Sequence, residues 1–408
     1  MTSKSQNLLP EENLTLITGA TGSLGQELLY QILQARPQSH FLVLARSGSK
    51  KQSGGAEKRV KAILRKHLSG EELEDAWQRV TVLEGDISEQ YLGLSSQLYS
   101  QVAERLEQVI HSAAAVRFDQ PIEEAREINL EGTRRALDLA RLAQRSGNKV
   151  RFDYIGTAYI AGKRKGVIYE HELEHRQPFH NTYEQSKYEA EIMVRAYRDE
   201  LPLTVYRPSI IIGNSRTGET SNFKAFYWPI RVYAMGQMKM LPGVANCKID
   251  LVPVDFVASA VIELSGRKDT ENGCYHLTAG RENLITLREI MNAAISFFKV
   301  KPPVLIPPAL LKIAESGLGR FLLNEHTYKT LTLGRPYYPY FALKLQFDNS
   351  QAVKALAGSG IKAPPPRQFF ERLFSYCVET DWGRKQAPEV ADKNEKEVLD
   401  VAGMAGTV

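Results

Sequence analysis

The chain has 408 residues, enough by ordinary domain sizes for two or three domains or lobes and for a buried site. Lys and Arg total 52 against 47 Asp and Glu, a formal charge of +5 with 24% charged residues, which excludes a polyelectrolyte tail and does not suggest a nucleic-acid-binding domain. Hydrophobic residues make up 43%, which excludes disorder over most of the chain, and three widely spaced cysteines (Cys247, Cys274, Cys377) exclude a disulfide scaffold and a cysteine-built zinc site and fit a reducing compartment.

The opening MTSKSQNLLPEEN lacks the apolar stretch of a secretory signal, and no run of about 18 apolar residues occurs anywhere. A cytoplasmic protein is expected, without a membrane span or a metal site, and with a flexible N-terminus over residues 1–12. From there the patterning predicts a strand at Leu14–Thr18, a helix at Leu24–Leu33, a strand at Phe41–Ala45, a helix at Glu57–Leu68, and strands at Val80–Leu83 and Val109–His111. A helix at Glu131–Arg145, a strand at Phe152–Ile155, a helix at Thr182–Tyr197 and a strand at Leu203–Tyr206 follow. This alternation predicts the α/β class, with a Rossmann-type doubly wound parallel sheet over residues 13–215. Residues 216–383 lose the alternation and become rich in aromatic, Met and Pro residues, as in FKAFYWPIRVYAMGQMKMLPG at 223–243. They read as a smaller C-terminal substrate lobe, with Gly273–Leu277 a late strand returning to the sheet. The tail 384–408 has no aromatic residue and reads as disordered.

The first predicted strand runs into GATGSLG and then into a helix. Gly19, Gly22 and Gly25 are spaced so that the first permits a tight turn, the second lets backbone approach a pyrophosphate, and the third allows close packing of the helix. Thr21, Ser23 and Leu24 lie in the same turn, whose free amides can hold phosphate. At the end of the second strand Arg46 and Ser47 stand where an acidic residue would bind a ribose 2′-hydroxyl. Arg46 either meets a 2′-phosphate or opens a solvated basic segment; its charge and fork geometry favour the phosphate, and hence NADPH. Asp86 and Ile87 after the third strand would lie near adenine, and Ala113, Ala114 and Ala115 after the fourth are small enough for close contact with the cofactor.

Tyr183 and Lys187 are four residues apart on one predicted helix and share a face. A free phenol titrates near pH 10, and a neighbouring ammonium is expected to lower that value, fitting Tyr183 to donate a proton to a carbonyl oxygen as hydride arrives. Thr157, just after the fifth strand, is placed to hydrogen-bond a developing oxyanion or to cap a turn.

In order along the chain stand TGATGSLG at 18–25, LARS at 44–47, HSAAAVRF at 111–118, INLEGT at 128–133, IGTAYIAG at 155–162, the Tyr183/Lys187 pair, YRPSIIIGNSRTG at 206–218 and IDLVPVDFVA at 249–258. With these motifs the chain resembles the extended short-chain dehydrogenase/reductase superfamily, and within it the thioester reductases and fatty acyl-CoA reductases with a male-sterility-type NAD-binding domain. The resemblance implies a catalytic triad of Thr157, Tyr183 and Lys187, in which Tyr183 gives the proton, Lys187 tunes it and binds the nicotinamide ribose, and Thr157 holds the substrate oxygen. It also implies cofactor contacts from Pro208, Ser209 and Ile210. One departure is Gly156, where acyl-CoA reductases often carry Ser, so Thr157 would supply the hydroxyl alone.

The implied reaction is NADPH-dependent reduction of an acyl thioester, on CoA or an acyl carrier protein, to an aldehyde, with a second reduction to the alcohol left open by the sequence. Phe226, Tyr227, Trp228, Met235, Met238 and Met240 offer apolar surface for an acyl chain or simply form core. The apolar stretch 301–323 could lie on a membrane surface. Basic clusters at Lys50–Lys66 and Lys163–Lys165 would attract CoA phosphates or an acidic carrier protein, or are solvated faces. Ketone reduction or sugar-nucleotide epimerisation on the same fold, and non-catalytic dinucleotide binding, are the alternatives; Arg46 opposes the epimerase and the retained Tyr183/Lys187 pair opposes the binding protein.

Overall fold

The computed structural model describes residues 9–10, 14–48, 55–311, 321 and 323–385. In chain order the elements are β1 (Leu14–Thr18), α1 (Ser23–Ala35), β2 (His40–Ala45), α2 (Ala56–Leu64), α3 (Gly70–Gln78), β3 (Val80–Glu84), α4 (Ser96–Ala103), β4 (Leu106–His111), α5 (Ile122–Arg126), α6 (Gly132–Arg145), β5 (Arg151–Ile155), β6 (Gly166–Ile168), α7 (Thr182–Ala196), β7 (Leu203–Pro208) and β8 (Ile210–Ile212). There follow α8 (Tyr227–Ala234), β9 (Met240–Pro242), β10 (Lys248–Ile249), β11 (Leu251–Pro253), α9 (Val254–Ser265), β12 (Cys274–Leu277), β13 (Ile285–Thr286), α10 (Leu287–Phe298), β14 (Val304–Ile306), α11 (Glu325–Gly334), β15 (Leu345–Phe347), α12 (Ser350–Ala355) and α13 (Phe370–Glu379).

A seven-stranded sheet in the order β12-β7-β5-β4-β1-β2-β3 forms the centre. Every pairing within it is parallel. Strands buried on both faces need continuous apolar runs: all five residues of LTLIT in β1 and all six of LTVYRP in β7 are buried. One face is covered by α1, α2 and α9, the other by α4, α6 and α7. The order reverses between β1 and β4, the switch point at which such sheets bind ligands beyond their carboxyl ends.

Each predicted strand is present, and the late strand is β12, paired to β7 at the sheet edge. Two helices the patterning did not reveal are α3, which packs on β3, and α4, which packs on α6 on the opposite face; α9 lies beyond residue 215 yet packs against α1 on the sheet. Ten of its twelve residues are buried, so its sequence VDFVASAVIELS lacks a clear polar stripe. Within 1–12, Leu9 is buried and its carbonyl accepts from Arg105 at 3.0 Å, so this part of the expected flexible N-terminus packs on the core.

A separate apolar cluster joins α8, β9, β10, α10, α11 and α13 beyond the carboxyl edge of the sheet. Among the described residues no helix is long and apolar enough to cross a membrane. Of the apolar stretch 301–323, residues 312–320 and 322 lie outside the described residues, as do the tail from 386 and Lys50 and Lys51.

Candidate active site

The glycine turn is dictated by close contact. Gly19 has φ of 76°, and a Cβ there would stand 2.5 Å from the Ala113 amide nitrogen, where the loop after β4 crosses. At Gly25 a Cβ would lie 2.0 Å from the Gly19 carbonyl oxygen, so the third glycine seats α1 on the turn. Gly22 differs: it is exposed, and its Cβ would meet only the Gly19 oxygen, at 3.2 Å. The protein's own packing requires less of this glycine, and the space beside it opens on the start of α1, where no side chain caps the helix. A cradle of small residues at an uncapped helix N-terminus fits a pyrophosphate.

The loop after β4 is fixed from below. The His111 ring bridges Thr18 Oγ1 at 2.9 Å and Thr133 Oγ1 at 3.1 Å, and burial drops its pKa to about 3, so it is neutral. Asn129 accepts from the Ala115 amide at 2.7 Å and donates to the Ala115 carbonyl at 3.1 Å and to Ser186 Oγ on α7 at 2.9 Å. It can do so because residues 127–131 form a π turn between α5 and α6, a local widening that turns this side chain toward the cofactor loop. Asn129 was not singled out from the sequence, although it stands in the INLEGT motif.

Tyr183, Lys187 and Glu191 recur every four residues along α7. Lys187 is 2% exposed, donates to the Ile155 carbonyl at 2.8 Å and sits 4.2 Å from the centre of the Tyr154 ring. Burial lowers its pKa to about 7 against the pull of Glu191. Burial opposes ionisation of Glu191 too, but Arg207 at 2.6 Å and Arg195 at 2.7 Å hold that carboxyl below its ordinary value. The Tyr183 phenol, expected to be lowered by the lysine, is instead pushed up to about 12: burial raises it, and the hydrogen bond with Thr157 only partly counters this. Thr157 Oγ1 donates to the Pro208 carbonyl at 3.4 Å and accepts from the Tyr159 amide at 3.3 Å. A Cβ on Gly156 would lie 3.3 Å from Glu191 Oε2 and 3.4 Å from Tyr206 O, so the position would be tight for the serine that the resemblance leads one to expect there.

One cavity of about 800 Å³ joins these parts. Gly19, Gly22, Ser23, Leu24 and Gly25 line it at one end together with Ala114; Thr157, Tyr183, Lys187, Pro208, Ser209 and Ile210 line it further in. The Ser209 hydroxyl is committed to the buried Asp250 at 2.5 Å, so only the rest of that residue is offered to a ligand. Ala113 and Ala115 act through their backbones, and Thr21 through its carbonyl, which accepts from Gln26. Ile87 is buried against Gly132 and serves as packing. Arg46 and Asp86 stand apart from the cavity, 3.8 Å from each other, with the Arg46 side chain 72% exposed. Ser47 bonds Glu84, and Arg59 donates to the Arg46 carbonyl at 2.7 Å, bringing a second guanidinium to this rim.

On the far side Phe226, Trp228 and Met238 line the cavity. Tyr227 is core, its hydroxyl accepting from the Gly213 amide at 2.7 Å; Met235 is exposed, and Met240 packs at the edge of the apolar cluster. Tyr340, also on the cavity wall, was not anticipated: its hydroxyl donates to the buried Glu184 at 2.5 Å and accepts from Asn181 at 2.8 Å, tying the lobe to the start of α7 beside Tyr183.

The chain is similar to several known proteins. The chain is 24% identical over 330 residues to a putative fatty acyl-CoA reductase of Drosophila melanogaster, covering 70% of this chain and 59% of that protein. It is 26% identical to a glycine betaine reductase of Emericella nidulans, over 66% of this chain and 21% of the relative. The chain therefore spans about three fifths and one fifth of these relatives. Among solved structures, the terminal R domain of the myxalamid PKS-NRPS pathway superposes with a TM-score of 0.75 at 26% identity, covering 92% of this chain and 93% of that one. A UDP-glucuronic acid 4-epimerase of Bacillus cereus, solved with NAD, shares the fold at a TM-score of 0.62 and 14% identity, covering 92% of this chain and 99% of that one. Residues 17–261, more than half the chain, match the NAD-binding model described as male sterility protein, and the chain belongs to that family.

Proposed function

We propose that the protein is an NADPH-dependent reductase of acyl thioesters, carried on CoA or an acyl carrier protein, giving the aldehyde. The observation that carries this reading is the single cavity in which the glycine turn and the Thr157/Tyr183/Lys187 group open onto an apolar lobe. Residues 13–215 supply the cofactor side, joined by α9 and β12, and the rest of 216–383 supplies the acyl side.

When bound at the turn, the dinucleotide supplies hydride to the thioester carbonyl carbon. Thr157 offers its hydroxyl to the developing oxyanion, and Tyr183, protonated at neutral pH, gives that oxygen a proton to form a hemithioacetal. Collapse breaks the C–S bond, moves the hydroxyl proton to sulfur and leaves aldehyde and thiol. A second reduction, to the alcohol, would use the same groups. No protein thiol is needed, and none is suited: burial pushes Cys247 and Cys274 up to about 11 and Cys377 to about 12, and none lines the cavity. Lys187 anchors the ribose, its ammonium held in place by the Ile155 carbonyl and the ring of Tyr154. Arg46 with Arg59 supplies charge for the 2′-phosphate. Lys163 and Lys165 are exposed, whereas Arg164 is paired to Glu172 at 2.8 Å, so the two lysines are the docking charges for an acidic carrier or for CoA phosphates.

Tyr183→Phe tests the assignment. NADPH oxidation with acyl-CoA should fall by roughly 100-fold or more while NADPH affinity, measured by fluorescence titration, stays the same. Unchanged turnover would remove Tyr183 from the mechanism.

A further inference from the structure

The acyl side of the cavity runs along α10. This helix turns Leu287, Ile290, Met291, Ala294 and Ile295 to the cavity, while Arg288, Asn292 and Ser296 are exposed on its other side. From Leu287 to Ile295 the stripe rises about 12 Å, roughly the length of ten carbons in an extended chain of C–C bonds near 1.5 Å.

The wall is rigid as well as apolar. A reciprocal cap holds its start: Thr286 Oγ1 accepts from the Glu289 amide at 3.2 Å and Glu289 accepts from the Thr286 amide at 2.8 Å, with Arg367 at 2.8 Å from the same carboxylate. Its far end is packed by Phe298 against Phe374, ring centres 5.3 Å apart. Across the cavity stand Trp228, Tyr233, Met238 and Leu241, and the Tyr233 hydroxyl is spent on the Val300 carbonyl at 2.6 Å. The charged residues on the cavity wall are Arg117, Asp119, Lys187 and Lys224, none of them on α10. The α10 face itself offers no partner for the amides of a peptidyl group or the hydroxyls of a sugar, whose burial without hydrogen bonds is costly.

We infer that α10 measures the acyl chain: the substrate is a linear hydrocarbon laid along this helix from its Leu287 end, which meets Cys247 beside Tyr340 and so lies toward Tyr183, and Ala294, the smallest side chain of the stripe, leaves open the part of the cavity beyond. The inference rests on the thioester reading and adds a substrate class and a length-determining position to it.

The test uses the full chain, NADPH and a series of straight-chain acyl-CoAs. For the unaltered protein kcat/KM should rise by about fourfold per added carbon while the chain extends along the stripe, a span of about ten carbons, and level off once the chain has passed its end. Ala294→Phe should lower kcat/KM for the longer chains by about tenfold or more and leave the shortest unaffected, because the added ring fills only the distal space. Ile295→Ala, a milder change that keeps the test available if the first variant misfolds, should move the plateau to longer chains. A loss equal at every length, or a plateau that neither variant moves, would overturn the inference. Calorimetric binding of the same series without NADPH separates it from the reaction itself. Length-dependent affinity that the variants shift, in a protein that reduces no acyl-CoA, would retain the chain-measuring helix and defeat the thioester reading.

Discussion

At the scale of single residues the central fact is that Lys187 is buried and Tyr183 half-buried on the cavity wall, and withdrawal from water moves them in opposite directions, the phenol up and the ammonium down. The sequence placed them on one helical face but could not report their solvation, so the tuning expected from charge alone has the wrong sign. For Lys187 the folded pKa, about 7, lies below the ordinary lysine value of 10.5, so between these values the unfolded chain holds more protons than the native one. Stability must therefore rise with pH across that window, and the penalty for burying the charge is fully present below pH 7. Compared with Lys187→Met, which does not titrate there, the cofactor-free protein should gain about 1–2 kcal/mol between pH 7 and 9 in urea unfolding. No relative change would mean that Lys187 stays charged or is solvated. Arg46 carries a separate expectation: Arg46→Ala should raise KM for NADPH by about tenfold and leave KM for NADH nearly unchanged, which steady-state kinetics with each cofactor will show. Equal changes would place the guanidinium away from the 2′-phosphate.

At the scale of elements, α7 and the π turn at 127–131 hold the site together. Glu191 pins α7 to Arg207 of β7, Tyr340 ties the lobe to Glu184, and Asn129 links Ser186 to the loop that crosses the glycine turn. Asn129→Ala would leave the Ala115 amide and carbonyl without their partner. It should cost about 2–4 kcal/mol in denaturant unfolding and raise KM for NADPH, whereas an effect on neither would show that the loop is held by other contacts. Periodicity revealed β1, α1 and α7 because their patterns are local. It did not reveal α3, α4 or α9: α9 is apolar nearly all round, and α3 and α4 are short, so periodicity identifies them poorly. The glycine turn and the Tyr183/Lys187 spacing were legible for the same local reason. Asn129 and Tyr340 were not, since their significance lies in partners 57 and 156 residues away in sequence.

At the scale of the molecule, a parallel sheet supplies a switch point at the end of β1 and β4, and chain beyond residue 215 closes over it with an apolar chamber. A chain of 408 residues is long enough for such a division, but its length does not say what the second part holds. The fold is shared with an epimerase, so the chemistry must be read from the cavity and not from the sheet. The most direct test follows NADPH oxidation and free thiol release together, in one reaction, with acyl-CoA as substrate. The account predicts one thiol released per hemithioacetal collapse, hence one per NADPH if reduction stops at the aldehyde and one per two if it continues to the alcohol. Oxidation of NADPH with ketones, and no thiol release from any thioester, would contradict it.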